Sequence, residues 1–198
     1  MSHQISSAWR FSGTGWLRTG RSGVVVALGI LAIVSLVGCA STVTRVHSAG
    51  SLRFPARWVI LPIVNYSETA QAGERVEAML DTILRQRGLG LQALDRYPSS
   101  KEDEAHLLTG ERRRYDEALA WAHSQPYDYA ITGSVEEWRY KSGTEPVPAV
   151  GITLKVIELS MNRTIWSASG SRGGTSSENV SGTALVLVSD LLGELKLQ

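Results

Sequence analysis

The chain has 198 residues, 20 Lys and Arg against 19 Asp and Glu, 43% hydrophobic residues and a single cysteine. Charge this balanced argues against a basic nucleic-acid binder and against an acidic disordered chain, and one cysteine excludes an internal disulfide or a thiolate metal cluster. A chain of this length makes one compact domain with a proper core, or two at most.

The first 38 residues carry Arg10, Arg18 and Arg21 but no Asp or Glu, and Val24 to Val37 is a run of fourteen residues whose polarity is broken only by Ser35. A spanning helix needs about 20 apolar residues, so this run matches the central region of a secretory signal. It closes on Leu36-Val37-Gly38-Cys39, with Ala40 and Ser41 next. That ending resembles the lipobox of bacterial lipoproteins, whose cysteine is thioether-linked to diacylglycerol after the signal is cut away. Small residues after the cysteine, with no aspartate, resemble the outer-membrane sorting pattern. The competing reading is an uncleaved membrane anchor with an incidental buried cysteine. On the lipoprotein reading, residues 1–38 are a signal peptide, 39–55 the lipidated Cys39 and a tether, and 56–198 an α/β domain. Removing the signal leaves 160 residues with 17 basic and 19 acidic groups, so the mature chain is slightly acidic. Ala40 to Pro55 shows no convincing periodicity and is expected to be a coil, about 20–25 Å in mean reach.

Arg57 to Val64 is a continuous apolar run of strand length, and Pro62, with no N–H to donate, is expected to end it or bulge it. Gly73 to Arg87 switches to helical spacing through Val76, Met79, Leu80, Ile83 and Leu84, with Gly88 as its stop. Leu89 to Leu94 is expected to pair parallel to the first strand through this crossover. Asp95 to Gly110, with the acidic patch Glu102, Asp103 and Glu104, reads as a surface loop. Glu111 to Ser124 is again helical through Tyr115, Ala118, Leu119 and Ala122. Tyr127 to Tyr140 is a long strand with Gly133 a bulge candidate. Ala149 to Leu159 alternates Val150, Ile152, Leu154 and Val156 on one face, and a turn at Met161-Asn162-Arg163 leads into a strand from Thr164 to Gly170. A last helix carries Val180, Ala184, Leu187, Val188, Leu191 and Leu192 on one stripe, with Ser176 or Ser177 as its cap. The order β-α-β-α-β-β-β-α describes one α/β domain with a mixed sheet.

Chemistry is sparse. His47, His106 and His123 have no ligand-like spacing, and there is no nucleophile elbow, zincin motif or phosphate loop. Gly173-Gly174 before a helix is read as a flexible loop, with backbone anion binding as the alternative. Glu136 and Glu137, adjacent on a strand, are expected on opposite faces and thus not to act as a pair. No catalytic residue, metal or cofactor is assigned. Trp138-Arg139-Tyr140-Lys141, followed by a Gly- and Pro-punctuated loop, reads either as edge aromatics with solvated cations or as a membrane or subunit interface.

The residues Arg57-Trp58-Val59-Ile60-Leu61-Pro62, Asn65-Tyr66-Ser67, Gln71-Ala72-Gly73-Glu74-Arg75 and Arg85-Gln86-Arg87-Gly88, taken with the lipobox, resemble the PelC family of outer-membrane lipoproteins from Pel exopolysaccharide export. Tyr115 to Ala122, Thr132 to Lys141 and Ile165 to Gly170 extend the likeness over most of the chain from Arg57 to Gly182. The resemblance implies a fold related to the curli-secretion lipoprotein and LpoB-like domains, a homo-oligomeric ring of dodecameric size, the outer membrane as its seat, PelB as its outer-membrane β-barrel partner, and Pel polysaccharide as cargo. Nucleic acid is not a partner on this reading. A cationic polymer would be guided by weak acidic groups multiplied by ring symmetry. Glu145, the one acid in the loop after Lys141, is the first candidate, with Glu102, Asp103 and Glu104 contributing. The competing function is a lipoprotein activator of a peptidoglycan synthase, which commonly needs a longer tether.

Overall fold

The chain divides into two units, Met1–Cys39 and Ala40–Gln198. A computed structural model describes residues 42–48, 52–53, 55–89, 94–98, 108–143 and 146–196, all in the second unit. Six strands form one sheet: β1 (Thr42–Ser48), β2 (Trp58–Asn65), β3 (Leu94–Arg96), β4 (Tyr129–Lys141), β5 (Val147–Glu158) and β6 (Arg163–Gly173), in the spatial order β1-β6-β5-β4-β2-β3. Helix α1 (Ala72–Gln86) links β2 to β3, α2 (Leu108–His123) links β3 to β4, and α3 (Val180–Gly193) follows β6. From Trp58 onward this is the expected β-α-β-α-β-β-β-α order in a single mixed-sheet domain.

Strand β2 is apolar throughout because both its faces are covered. Trp58, Ile60 and Ile63 enter the main core with Val76, Leu80, Ile83 and Leu84 of α1 and Leu187, Val188, Leu191 and Leu192 of α3. Val59 and Leu61 face the other way, onto Ala118 and Ala122 of α2. The antiparallel half instead alternates: Val150, Ile152, Leu154 and Val156 all point into the main core, as the spacing predicts.

Pro62 bulges β2, one of the two outcomes expected there: the pairing with β4 shifts between Ile60 and Ile63, so the missing N–H is absorbed while the strand runs on. The Pro62 carbonyl accepts from Thr132 Oγ1 at 2.8 Å. Gly133 is not a bulge residue. A Cβ there would lie 1.9 Å from the Thr153 carbonyl oxygen, so it is glycine because the β5 backbone passes too close for a side chain. The bulge of β4 falls between Val135 and Glu137 in its pairing with β5. The third strand is short, Leu94–Arg96, and does pair parallel to β2; residues 90–93 lie outside the described residues. The cap of α3 is Asn179, whose Oδ1 accepts from Gly182 N at 2.8 Å, in place of Ser176 or Ser177.

The largest departure lies in the segment expected to be coil. Thr42–Ser48 is a strand, antiparallel to β6 over its whole length. Its Thr-Val-Thr-Arg-Val pattern is rich in β-branched residues, and without it the outer edge of β6 would present a row of unpaired backbone groups.

Candidate functional site

Where β2 runs past the end of β3, its outer edge has no strand partner. Two carboxylates take that place. Ile63 N–H donates to Glu77 Oε1 at 3.0 Å, and the Glu111 carboxylate faces the Asn65 backbone. Glu77, 2% exposed, is held by Arg96 Nε at 3.1 Å and lies 3.8 Å from Arg114. Arg114, itself buried, also pairs with Glu74 at 3.0 Å. Helix α1 reaches this edge because Gly73 lies against β2; a Cβ on it would sit 2.3 Å from the Ile63 carbonyl oxygen. Burial, reinforced by the Glu74 charge, raises the Glu111 carboxyl above its ordinary range. The cluster joins α1, β2, β3 and α2 and is a structural clamp at the sheet edge.

The crossover from β2 leads to β3 on one side, and the crossover from β3 returns past β2 to β4 on the other, so the carboxyl ends of β2 and β4 flank a topological switch point, where open α/β sheets form crevices. Here a cleft of about 210 Å³ is lined by Val64, Tyr66, Arg112, Tyr115, Thr132, Gly133, Ser134 and Lys155. It opens onto the side of the sheet that carries α2. Among the described residues nothing beyond α2 packs on that side, and its outward residues are Ser134, Thr153, Lys155, Ser167, Ser169 and Ser171, with Arg45 and His47 of β1 opposite Ser169 and Ser167. Thr153 and Ser169 are hydrogen-bonded across the strands at 3.0 Å. The complement of the apolar alternation was the signal for this polar face, and the sequence reading did not follow it.

The β4 bulge also overturns the reading of the acid pair. Val135 and Trp138 both enter the main core, so the two residues between them lie on the open side. A Cβ on Gly151 would meet Glu137 Cβ at 3.5 Å and Glu136 Cβ at 3.7 Å, so both acids share one face.

Among the residues singled out by sequence, Trp138 is 2% exposed and belongs to the core, which removes it from any surface role in this chain. Arg139 pairs with Glu137 at 2.8 Å. Tyr140 is 48% exposed, and its hydroxyl accepts from Val180 N–H at 3.3 Å. Lys141 is exposed at the strand end. These three stand at one end of the sheet, the end where β1 begins, since Thr42 lies opposite Arg172 and Lys141 opposite Val147. The loop at Gly174 is packed: its N–H donates to Pro148 O at 2.9 Å, and the Glu178 carboxylate accepts from Thr175 N–H at 2.7 Å. That bond and the neighbouring Arg172 hold the Glu178 carboxyl below its ordinary range, so the loop already carries an anion of its own. Cys39, Glu102, Asp103, Glu104 and Glu145 lie outside the described residues. Among the described residues no His, Cys, Asp and Glu cluster is suited to a metal ion, and no helix is long and apolar enough to cross a membrane.

No family model matches the chain, and no curated protein matches it. Among solved structures, the PelC dodecamer from Paraburkholderia phytofirmans is similar at a TM-score of 0.64 with 31% identity, covering 80% of this chain and 99% of that one. A single-substitution variant of the same dodecamer aligns at a TM-score of 0.63 with 32% identity over 77% of this chain and 96% of that one.

Proposed function

This chain belongs to the PelC family, and we propose that it is a lipoprotein of Pel exopolysaccharide export whose copies form a ring on the periplasmic face of the outer membrane. The ring, anchored through lipid on Cys39, guides cationic Pel polymer toward the β-barrel PelB. It performs no reaction and holds no cofactor. The observation that carries this reading is the 31% identity to a PelC dodecamer along 99% of that protein.

The fold supports an orientation. Cys39 precedes Thr42 by three residues, about 11 Å of extended chain at most. With Thr42–Ser48 paired to β6, only Ala40 and Ser41 separate the sheet from Cys39 in sequence. The anchor therefore holds the end bearing Tyr140 and Lys141 against the headgroups, where a phenol and an ammonium are at home. Shortening the tether also weighs against the peptidoglycan-synthase activator, which must reach away from the membrane.

Glu145, four residues after Lys141 in sequence, is proposed as the leading guide for the polymer, with Glu102, Asp103 and Glu104 as a wider negative contribution. Replacing Glu145 by Ala or Lys should lower polymer export while lipoprotein level and native mass stay at wild-type values. Unchanged export in both variants removes Glu145 from the path.

A further inference from the structure

Resting on the ring reading above, we propose that neighbouring copies meet head to tail, the outer side of α3 of one copy lying on the open Ser/Thr face of the next copy's sheet. Three observations converge on this pairing.

First, α3 carries large apolar side chains on its outer side as well as on its inner one. Thr183, Ala184, Leu187, Val188, Leu191 and Leu192 are buried in its own domain, yet Leu185 and Val186, on the opposite side, are 45% and 39% exposed. A helix at a protein surface carries polar groups outward, as α3 does at Ser189 and Asp190, and Leu185 and Val186 interrupt that side with exposed apolar area. They are the one adjacent pair of exposed large apolar side chains among the described residues.

Second, the open sheet face is shaped to receive a helix. On that side α2 covers β2 and the start of β4, while among the described residues no helix covers β5, β6 or β1. Thr153, Ser167 and Ser169 are short, so a helix docked there approaches the sheet closely, and the Thr153 and Ser169 hydroxyls satisfy one another. The charges are complementary. Asp190 stands one turn beyond Val186 on the outward side of α3, and Lys155 and Arg112 flank the receiving face at the cleft. None of the three has an ion-pair partner among the described residues.

Third, the two surfaces lie on opposite faces of one sheet. A contact between unlike surfaces of identical copies leaves one of each free on every growing assembly until rotation closes it. A like-to-like contact would stop at a dimer. Helix-to-sheet stacking thus supplies the kind of interface that a ring needs, as the dodecameric relatives require.

The test uses the full-length lipidated protein in detergent, with native mass as the readout. Wild type is expected at ring mass. Leu185→Lys should fall to single-chain mass with an unchanged thermal melt, and Lys155→Glu should fall likewise and recover ring mass when combined with Asp190→Lys. Val186→Cys with Ser169→Cys in one chain should give an oxidised ladder running beyond the dimer, whereas each cysteine alone should stop at the dimer. A ring that keeps its mass in Leu185→Lys and Lys155→Glu, with no ladder, overturns the interface and leaves the ring standing. A wild-type chain that runs as a monomer overturns both.

Discussion

Glu77 occupies the position of a missing strand, and its surroundings show how a buried carboxylate is made tolerable. Its oxygens receive the Ile63 N–H and Arg96, with Arg114 at ion-pair distance. Replacing it by Ala removes one carboxylate from Arg114, which has 7% of its side chain exposed, and strips Arg96 of its ion-pair partner. Such a change should lower the unfolding free energy by about 3–5 kcal/mol. Glu111 at the same edge should behave oppositely. Its folded-state carboxyl lies above the ordinary range because of burial and the Glu74 charge, so the folded state favours its protonated form. The group is least unfavourable at low pH, and its contribution is lost as pH rises through that raised value. Glu111→Gln should therefore stabilise the domain at neutral pH, and the gain should vanish on acidification below the ordinary carboxylate range. Urea unfolding of both variants at the two pH values measures this. Equal gains at both would remove titration as the cause.

At the scale of elements, the pairing of β4 with β5 is set by backbone proximity at one position. A methyl on Gly133 would overlap the Thr153 carbonyl, whereas one on Gly173 would meet nothing within 4 Å. Gly133→Ala should separate the strands and cost about 3 kcal/mol or more, beyond the ordinary range for overpacking, while Gly173→Ala stays within about 0.5 kcal/mol. Thermal melts of the pair decide it. A mild Gly133→Ala would mean that β5 yields easily. The same strands show which parts of the fold were legible in sequence. The apolar alternation of β5 and the stripe of α3 were readable because each side chain's face follows from its own spacing. The bulge in β4 was not, because it depends on how β5 registers against it, and missing it put Glu136 and Glu137 on opposite faces. Trp138 misled for a similar reason: aromatics beside cations look like a surface motif until the bulge turns the ring inward. Strand β1 escaped notice because its amphipathicity is weak, and its reason for being a strand lies in the edge of β6, more than a hundred residues away.

For the whole molecule, β1 converts a loose tether into a fixed direction. Strands β4, β5 and β6 run the length of the sheet, and the twelve residues of β5 span roughly 35–40 Å. Lys141 and Thr42 mark one end, and the turn Leu159–Met161 marks the other. A lipid on Cys39 must hold the first end close to the bilayer and the second far from it. In the lipidated protein the native sulfur is consumed in a thioether, so an introduced cysteine is the one reactive thiol. A donor dye on Lys141→Cys, in vesicles carrying an acceptor-labelled headgroup, should be strongly quenched, and the same dye on Ser160→Cys should keep most of its emission. A coil in place of β1 lets the domain tumble and makes the two quenching values converge. Reversed values would put the other end on the membrane and would detach Tyr140 and Lys141 from the headgroups. A second dye on a protein without the introduced cysteine would show that Cys39 carries no lipid, and the anchoring would fall with it.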